Sequence, residues 1–209
     1  MPAYFNLSLV FERKDIYSEF THDINELLQK AGLKFKSGYY ESENFSLEEI
    51  LSWNQKHLEN NFHLGFTEHH SHDYKQVLFD YGTFSEVRGF WLNNYPEEDE
   101  FTLEIIIPEE DILEYDGNVK YGYSYKEKEI ELLINTSIIL WNSSLVKTIQ
   151  TGLECCDAVL SISGLWAGEI PNMYPFAIVP DKFAEQLQKR GMNIEKLDGN
   201  GILVQIGRD

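Results

Sequence analysis

The first third of the chain switches between strand-like and helix-like spacing of apolar residues. Residues 4–11 place an aromatic or aliphatic side chain at every second position, which predicts a strand with one buried face. Residues 15–32 then carry apolar side chains at helical spacing and end at Gly32, a residue typical of a left-handed helix cap. A second strand is predicted over residues 33–40.

The next segment predicts a helix followed by several strands. Ser46 begins a second helix, because Glu49 stands three residues later in a capping-box arrangement ahead of an apolar face. From residue 62 to residue 107 the apolar residues form short runs separated by turn residues. This pattern predicts a meander of about four antiparallel strands.

The C-terminal part predicts two further helices and a closing hairpin. Residues 126–150 repeat apolar side chains every three or four positions, which predicts one long helix in spite of its β-branched content. Strands are expected over 158–166 and 175–180, and a helix over 181–191. D-G and N-G pairs between the apolar runs of 193–206 favour a hairpin turn.

These elements predict a single α+β domain that covers residues 1–209. We expect a mostly antiparallel or mixed central sheet packed with three to four helices, with the 126–150 helix and the two N-terminal helices on one side. At 209 residues and 43% hydrophobic content the chain can bury a core without metal ions or disulfides, so no cofactor is expected. There is no internal repeat and no linker rich in Pro, Gly or Ser to mark a domain boundary.

The charge balance narrows the classes of partner. Thirty-five acidic and seventeen basic residues give a net charge of −18, which disfavours nucleic acid and anionic membranes as partners. A basic protein is the partner that this charge favours, although acidity also serves solubility alone. The N-terminus lacks the pattern of a secretory signal, and polar residues interrupt the most apolar segment, so a cytoplasmic location without a membrane span is expected.

Acidic residues concentrate in the segment 97–116, which contains ten acids and no lysine or arginine. Acids flank an apolar strand on both sides, and a strand of this length separates its two ends by about 20 Å. The functional interpretation is a docking surface for a basic partner, and the alternative is protection of the sheet edge. The candidate partner-binding acids are Glu97, Glu98, Asp99 and Glu100 before the strand and Glu109, Glu110, Asp111, Glu114 and Asp116 after it.

Arg88 and Trp91 add a second candidate for partner binding. They stand among other aromatic residues in the segment 84–95, and arginine with aromatic side chains is the composition of interface hot spots. The alternative is that Arg88 pairs with a neighbouring acid and that the aromatic residues belong to the core.

The stretch EHHSHD, residues 68–73, raises the question of a metal site. On a strand, His70 and His72 point to one face about 6.5 Å apart, a workable spacing for two ligands. This H-x-H pattern is similar to the first motif of the cupin family, which implies a β-barrel with a metal held by those histidines and a glutamate. Gln76 and Val77 occupy the places for that glutamate and no second motif follows, so a polar turn is the preferred interpretation.

Taken together, the residues favour binding over chemistry. The preferred function is that of a bacterial immunity or antitoxin protein, an acidic domain that masks a basic toxin or effector. One alternative is a metal-dependent hydrolase that uses His70 and His72 with a distant third ligand. Another is a structural or assembly subunit. Nucleophile elbows, P-loops and dinucleotide fingerprints are absent from the sequence.

Overall fold

The structure is a computed structural model that describes residues 3–63, 73–93, 99–117, 122–154 and 159–205. Within these ranges nine strands form one antiparallel sheet, two short strands form a separate hairpin, and six α-helices surround them. The predicted α+β class with an antiparallel sheet is therefore confirmed.

The strands vary from three to nine residues in length. In chain order they are β1 (Tyr4–Glu12), β2 (Lys34–Tyr39), β3 (Gln76–Asp80), β4 (Arg88–Leu92), β5 (Glu100–Pro108), β6 (Leu113–Tyr115), β7 (Tyr123–Tyr125), β8 (Thr148–Leu153), β9 (Phe176–Pro180), β10 (Asn193–Leu197) and β11 (Gly201–Gln205).

The helices are α1 (Phe20–Lys30), α2 (Leu47–Glu59), α3 (Glu109–Ile112), α4 (Glu127–Trp141), α5 (Ile162–Trp166) and α6 (Ala184–Lys189). The predicted capping box at the start of α2 is present, because the Ser46 amide donates to the Glu49 carboxylate at 2.7 Å. Gly32 has the positive φ of 99° expected at the end of α1. The helix α1 begins at Phe20 and not at residue 15, since Arg13–Asp15 form a separate 3-10 turn.

The large sheet has the strand order β10-β11-β9-β8-β1-β5-β4-β3-β2, with β1 near its centre. β1 pairs with β5 along its whole length, from Tyr4 opposite Pro108 to Glu12 opposite Glu100. Its other edge pairs with β8. Because the pairing is antiparallel, the two ends of this strand pair are the Tyr4–Pro108 end and the Glu12–Glu100 end.

Side chains on the two faces of the sheet belong to two separate hydrophobic cores. The main core lies under α1, α2 and α4 and contains fully buried side chains such as Phe5, Leu9 and Ile105. Burial of one such side chain stabilises the fold by about 1.5–3 kcal/mol. The smaller core lies on the other face, where α5 and α6 cover the residues of β9 and β11 that alternate with those of the main core, including Val179 and Val204.

The prediction of one helix over residues 126–150 is wrong at its C-terminal end. α4 ends at Trp141, where the Asn142 and Ser143 amides bond to carbonyls of its last turn. Thr148 then begins β8, because its β-branched neighbours suit a strand that is buried on both faces.

The strand expected over residues 158–166 is also wrong, since its described residues contain α5. Ser161 caps this helix by accepting a hydrogen bond from the Gly164 amide at 3.1 Å. The strand over 175–180 and the hairpin over 193–206 are confirmed by β9, β10 and β11. Most of the first strand of the expected meander, residues 62–70, lies outside the described residues, and the described Phe62 and His63 are not in a strand.

Candidate protein-binding surface

The chain that follows β5 forms a small acidic unit. We call residues 109–117 and 122–125, which contain α3, β6 and β7, the acidic hairpin. Ile112 and Leu113 anchor it, because both side chains are buried in the main core. The Lys126 amide also donates to the Ile112 carbonyl at 2.9 Å. The acidic hairpin is therefore held firmly at the Tyr4–Pro108 end of the sheet.

Asp111 and Glu109 accept hydrogen bonds from neutral donors. The Asp111 carboxylate accepts hydrogen bonds from the Ser85 amide and hydroxyl, each at 2.7 Å. The Glu109 carboxylate accepts one from the Tyr115 hydroxyl at 3.1 Å. These contacts fix the positions of the carboxylates without neutralising their charge.

Four acids of the acidic hairpin form no ion pair with the cations that the structure describes. Among the described residues, no ion pair joins Glu109, Glu110, Asp111 or Glu114 to a lysine or arginine. The nearby Lys126 ammonium donates to the Glu110 backbone carbonyl at 2.7 Å, so it partly screens the group. The side chains of Glu110, Glu114 and Asp116 are exposed. A negative field at this surface follows from these positions.

Tyr115 is an exposed aromatic residue at the centre of this field. Its side chain is 67% exposed, and it stands on β6 between Glu114 and Asp116. Partial desolvation, followed by the hydrogen bond to Glu109, raises the pKa of its hydroxyl. Tyr115 was not among the site residues predicted from the sequence. Its position between Glu114 and Asp116 is the sequence feature that indicates it.

The acids before β5 lie elsewhere. Both Glu100 carboxylate oxygens are 3.1 Å from the Ile162 amide nitrogen, so Glu100 holds the start of α5. Asp99 is exposed, and its carbonyl accepts a hydrogen bond from the Arg13 amide at 2.9 Å. The nine residues of β5 separate this end from the acidic hairpin by about 26 Å. The structure thus does not bring the two acidic groups together, and Glu97 and Glu98 lie outside the described residues.

Arg88 and Trp91 are both mainly inside the protein. The Arg88 guanidinium lies over the rings of Tyr4 and Tyr39, at 4.8 and 4.4 Å, and forms an ion pair with Glu86 at 3.2 Å. Trp91 is 4% exposed. The structure places its ring in the core and not on the surface that a partner would contact; it packs against Phe11, Phe20 and Phe101.

Glu104 is a buried acid that the sequence analysis did not single out. It lies in the middle of β5, 4% exposed, and accepts a hydrogen bond of 2.5 Å from the Ser8 hydroxyl. Burial raises the pKa of its carboxyl group, and hydrogen bonds from Ser8 and Thr102 offset part of that effect.

The metal-site hypothesis falls on His70 and His72, which lie outside the described residues. In the part of the chain that the structure describes, no group of three or more His, Cys, Asp and Glu side chains is placed to hold a metal ion. Across the same residues, no helix combines the length and apolarity that crossing a membrane requires.

The described residues thus form an α+β protein built on a nine-stranded antiparallel sheet, with the acidic hairpin at one end. No protein-family model matches the chain, and no curated protein sequence matches it. Among solved structures, the chain is similar to the Pseudomonas aeruginosa T6SS protein PA0821, with 9% sequence identity and a TM-score of 0.41. The match covers 98% of this chain and 65% of that one, so the chain spans about two thirds of its length. A similarity of this extent does not define a function.

Proposed function

We propose that this chain is a protein-binding domain that captures a basic protein partner through the acidic hairpin. The specific form that we propose is an immunity or antitoxin protein, which masks the positively charged surface of a toxin or effector. The observation that carries the proposal is the set of carboxylates at Glu109, Glu110, Asp111 and Glu114, which have no cationic partner among the described residues.

The charges of the acidic hairpin suit recognition of lysine and arginine. A negative field accelerates the diffusional encounter with a basic protein and favours it over acidic competitors. Because Asp111 and Glu109 are already oriented by hydrogen bonds, less side-chain entropy is lost when a partner binds.

Tyr115 gives the surface an apolar anchor. Tyrosine is enriched among the residues that dominate binding energy, because its large ring buries area while losing few rotamers. A guanidinium group of the partner can also lie over the ring face while it bonds to a neighbouring carboxylate. Acids around an exposed Tyr115 therefore fit an arginine-rich partner surface better than acids alone.

The test begins with the partner that the unmodified chain captures from the lysate of its native host at low salt. Its association rate is then measured with a variant that carries Glu110→Gln, Glu114→Gln and Asp116→Asn. We expect association to slow by about tenfold or more, because electrostatic steering changes association rates by 10 to 10³-fold. High salt should remove most of the difference between the variant and the unmodified chain.

A matched control separates local from overall charge. Glu169→Gln, Glu185→Gln and Glu195→Gln change the net charge by the same amount, and all three residues are exposed on other parts of the chain. We expect this control to slow association much less than the first variant. Equal slowing by both variants would show that net charge alone acts, and unchanged association in both would refute the proposal.

A further inference from the structure

A groove of about 550 Å³ opens at the Glu12–Glu100 end of the sheet, opposite the acidic hairpin. This volume lies within the range of about 300–1,000 Å³ that is typical of small-molecule sites. Its walls come from the end of β1, the C-terminal end of α4, the helix α5 and the turn between β10 and β11.

The turn between β10 and β11 packs directly against Trp141, which lines the groove. A Cβ atom at Gly201 would lie 2.2 Å from the Trp141 indole nitrogen, so only glycine allows this approach. The turn and α4 are therefore held together, and this wall of the groove is set by packing.

The lining of the groove is basic although the chain is acidic. Its charged residues are Glu12, Lys14, Lys147 and Lys182, so three lysines and one glutamate give +2 in a chain of net charge −18. Lys14 pairs with Glu12 at 2.8 Å. Lys147 pairs with Asp15, which is not part of the lining, also at 2.8 Å. These two pairs leave one lysine of the lining without a carboxylate.

Lys182 is that lysine, since no ion pair joins it to an acid of the described ranges. Its ammonium lies 4.2 Å from the centre of the Trp166 ring system. The Lys147 ammonium, in addition to its ion pair, donates to the carbonyl of Ser144 in the turn that follows α4, at 2.8 Å.

Trp166 supplies a flat apolar surface beside this cation. Its side chain is 62% exposed, which is unusual for the largest side chain, and its ring centre lies 5.0 Å from that of Phe183 with the two rings at 69°. Exposed indole rings stack on heteroaromatic rings, and lysine binds phosphate as a point charge. A lysine that has no carboxylate partner in the described ranges and lies over a largely exposed indole suits one ligand carrying both a ring and an anionic group.

The geometry points to a binding site for a small organic anion with a flat ring, of mononucleotide size. The anionic group lies at Lys182 and the ring lies against the exposed part of Trp166. The site is independent of the proposed function, because it stands at the opposite end of β1 and uses none of the residues of the acidic hairpin.

The four tryptophans of the chain allow a direct test by NMR. The indole N–H signals are assigned with single Trp→Phe variants, and the ¹⁵N-labelled chain is titrated with adenosine monophosphate. We expect the Trp166 signal to move and saturate, with a smaller change at Trp141. The signals of Trp53 and Trp91, which lie outside the groove, should stay in place.

Two ligand controls separate the ring from the charge. Adenosine has the ring without the charge, and inorganic phosphate has the charge without the ring. Each should bind about fivefold more weakly than adenosine monophosphate, because each loses one of the two contacts. Equal affinity for adenosine would overturn the assignment of an anion site.

A pair of lysine variants completes the test. Lys182→Gln should weaken binding by about fivefold, the upper range for one exposed charge pair. Lys36→Gln, at an exposed lysine on the edge strand β2, should leave affinity unchanged. The inference is overturned if Trp166 does not respond, if all four indole signals move together, or if the two lysine variants behave alike.

Discussion

The two ends of the β1–β5 pair both carry acidic residues, but they differ in the ion pairs that these residues form. At the Glu12–Glu100 end, Glu12 and Asp15 form ion pairs with Lys14 and Lys147. At the Tyr4–Pro108 end, Glu109, Glu110, Asp111 and Glu114 form no such ion pairs within the described ranges, and Tyr115 beside them is exposed.

This contrast teaches that net charge does not locate a binding surface. Acids that are paired with lysines contribute little to the electric field at a distance, whereas the charges of Glu109, Glu110, Asp111 and Glu114, which form no ion pair in the part of the chain that the structure describes, add to one another. Both ends are rich in acids in the sequence, and only their partners in the fold separate them.

The largest expected effect concerns aromatic residues. Trp91→Ala should lower the free energy of unfolding by about 3–5 kcal/mol, because it leaves a cavity among Phe11, Phe20 and Phe101. Tyr115→Ala should change it by less than about 0.5 kcal/mol, since its ring is exposed. Urea unfolding followed by circular dichroism measures both values. Similar losses in the two variants would contradict the assignment of one ring to the core and the other to the surface.

The next effect belongs to Glu104, midway between the two ends. Burial raises the carboxyl pKa in the folded chain above the ordinary value of 4.5. The protonated carboxyl group therefore makes its full contribution to the free energy of unfolding below pH 4.5. The contribution is lost as pH rises through the folded-state pKa. Glu104→Gln removes this dependence and keeps an acceptor for Ser8, so stability at neutral pH should rise by about 1 kcal/mol. Urea unfolding at several pH values tests this, and a variant with the same pH profile as the unmodified chain would contradict it.

A smaller effect is expected where acids are paired. Asp15→Asn removes a partner of Lys147, whose side chain is 23% exposed, and should lower the free energy of unfolding by about 0.5–1 kcal/mol. Glu185→Gln breaks a fully exposed pair with Lys189 and serves as the control, with a smaller loss. Thermal unfolding at low salt compares the two, and an equal or larger loss in the control would argue against the value assigned to the Asp15 pair.

The smallest expected effect is a gain of stability at low salt. Glu110→Gln combined with Glu114→Gln removes like charges from the acidic hairpin, so the folded chain should become slightly more stable at low salt. The gain should vanish at high salt, because screening already removes the repulsion. Thermal unfolding at two salt concentrations is sufficient, and a loss of stability would indicate that these acids have cationic partners after all.

Much of the fold follows from local patterns. The alternation over residues 4–11 specifies β1, the pair Ser46 and Glu49 specifies the start of α2, and the turn residues of 193–206 specify the last hairpin. In each case neighbouring residues contain the physical cause, whether a buried face, a cap or a turn. No distant contact is needed to predict them.

The region from residue 126 to residue 166 could not be predicted in this way. Leu145 and Ile149 continue the spacing of α4 by coincidence, so periodicity hides the end of the helix at Trp141. β8 is a strand because β1 and β9 lie on either side of it, a tertiary cause that the local pattern does not contain. The candidate surface was also predictable only in part. The length of β5 predicts two separate groups of acids. The partners of those acids and the exposure of Tyr115 depend on the fold.

The pairing of β1 also has a consequence for how the chain reaches its native state. β1 precedes both of its neighbours in the chain, and pairing with β5 and β8 joins Tyr4 to Pro108 and Phe5 to Leu153. Such distant contacts are formed slowly, because long loops must close before any pairing energy is gained. A nascent chain therefore carries the apolar strand β1 with two unpaired edges until β5 has been synthesised. One edge of β1 then stays unpaired until β8 has been synthesised. During that interval the open edges of β1 can pair with strands of other chains, which is a route to aggregation.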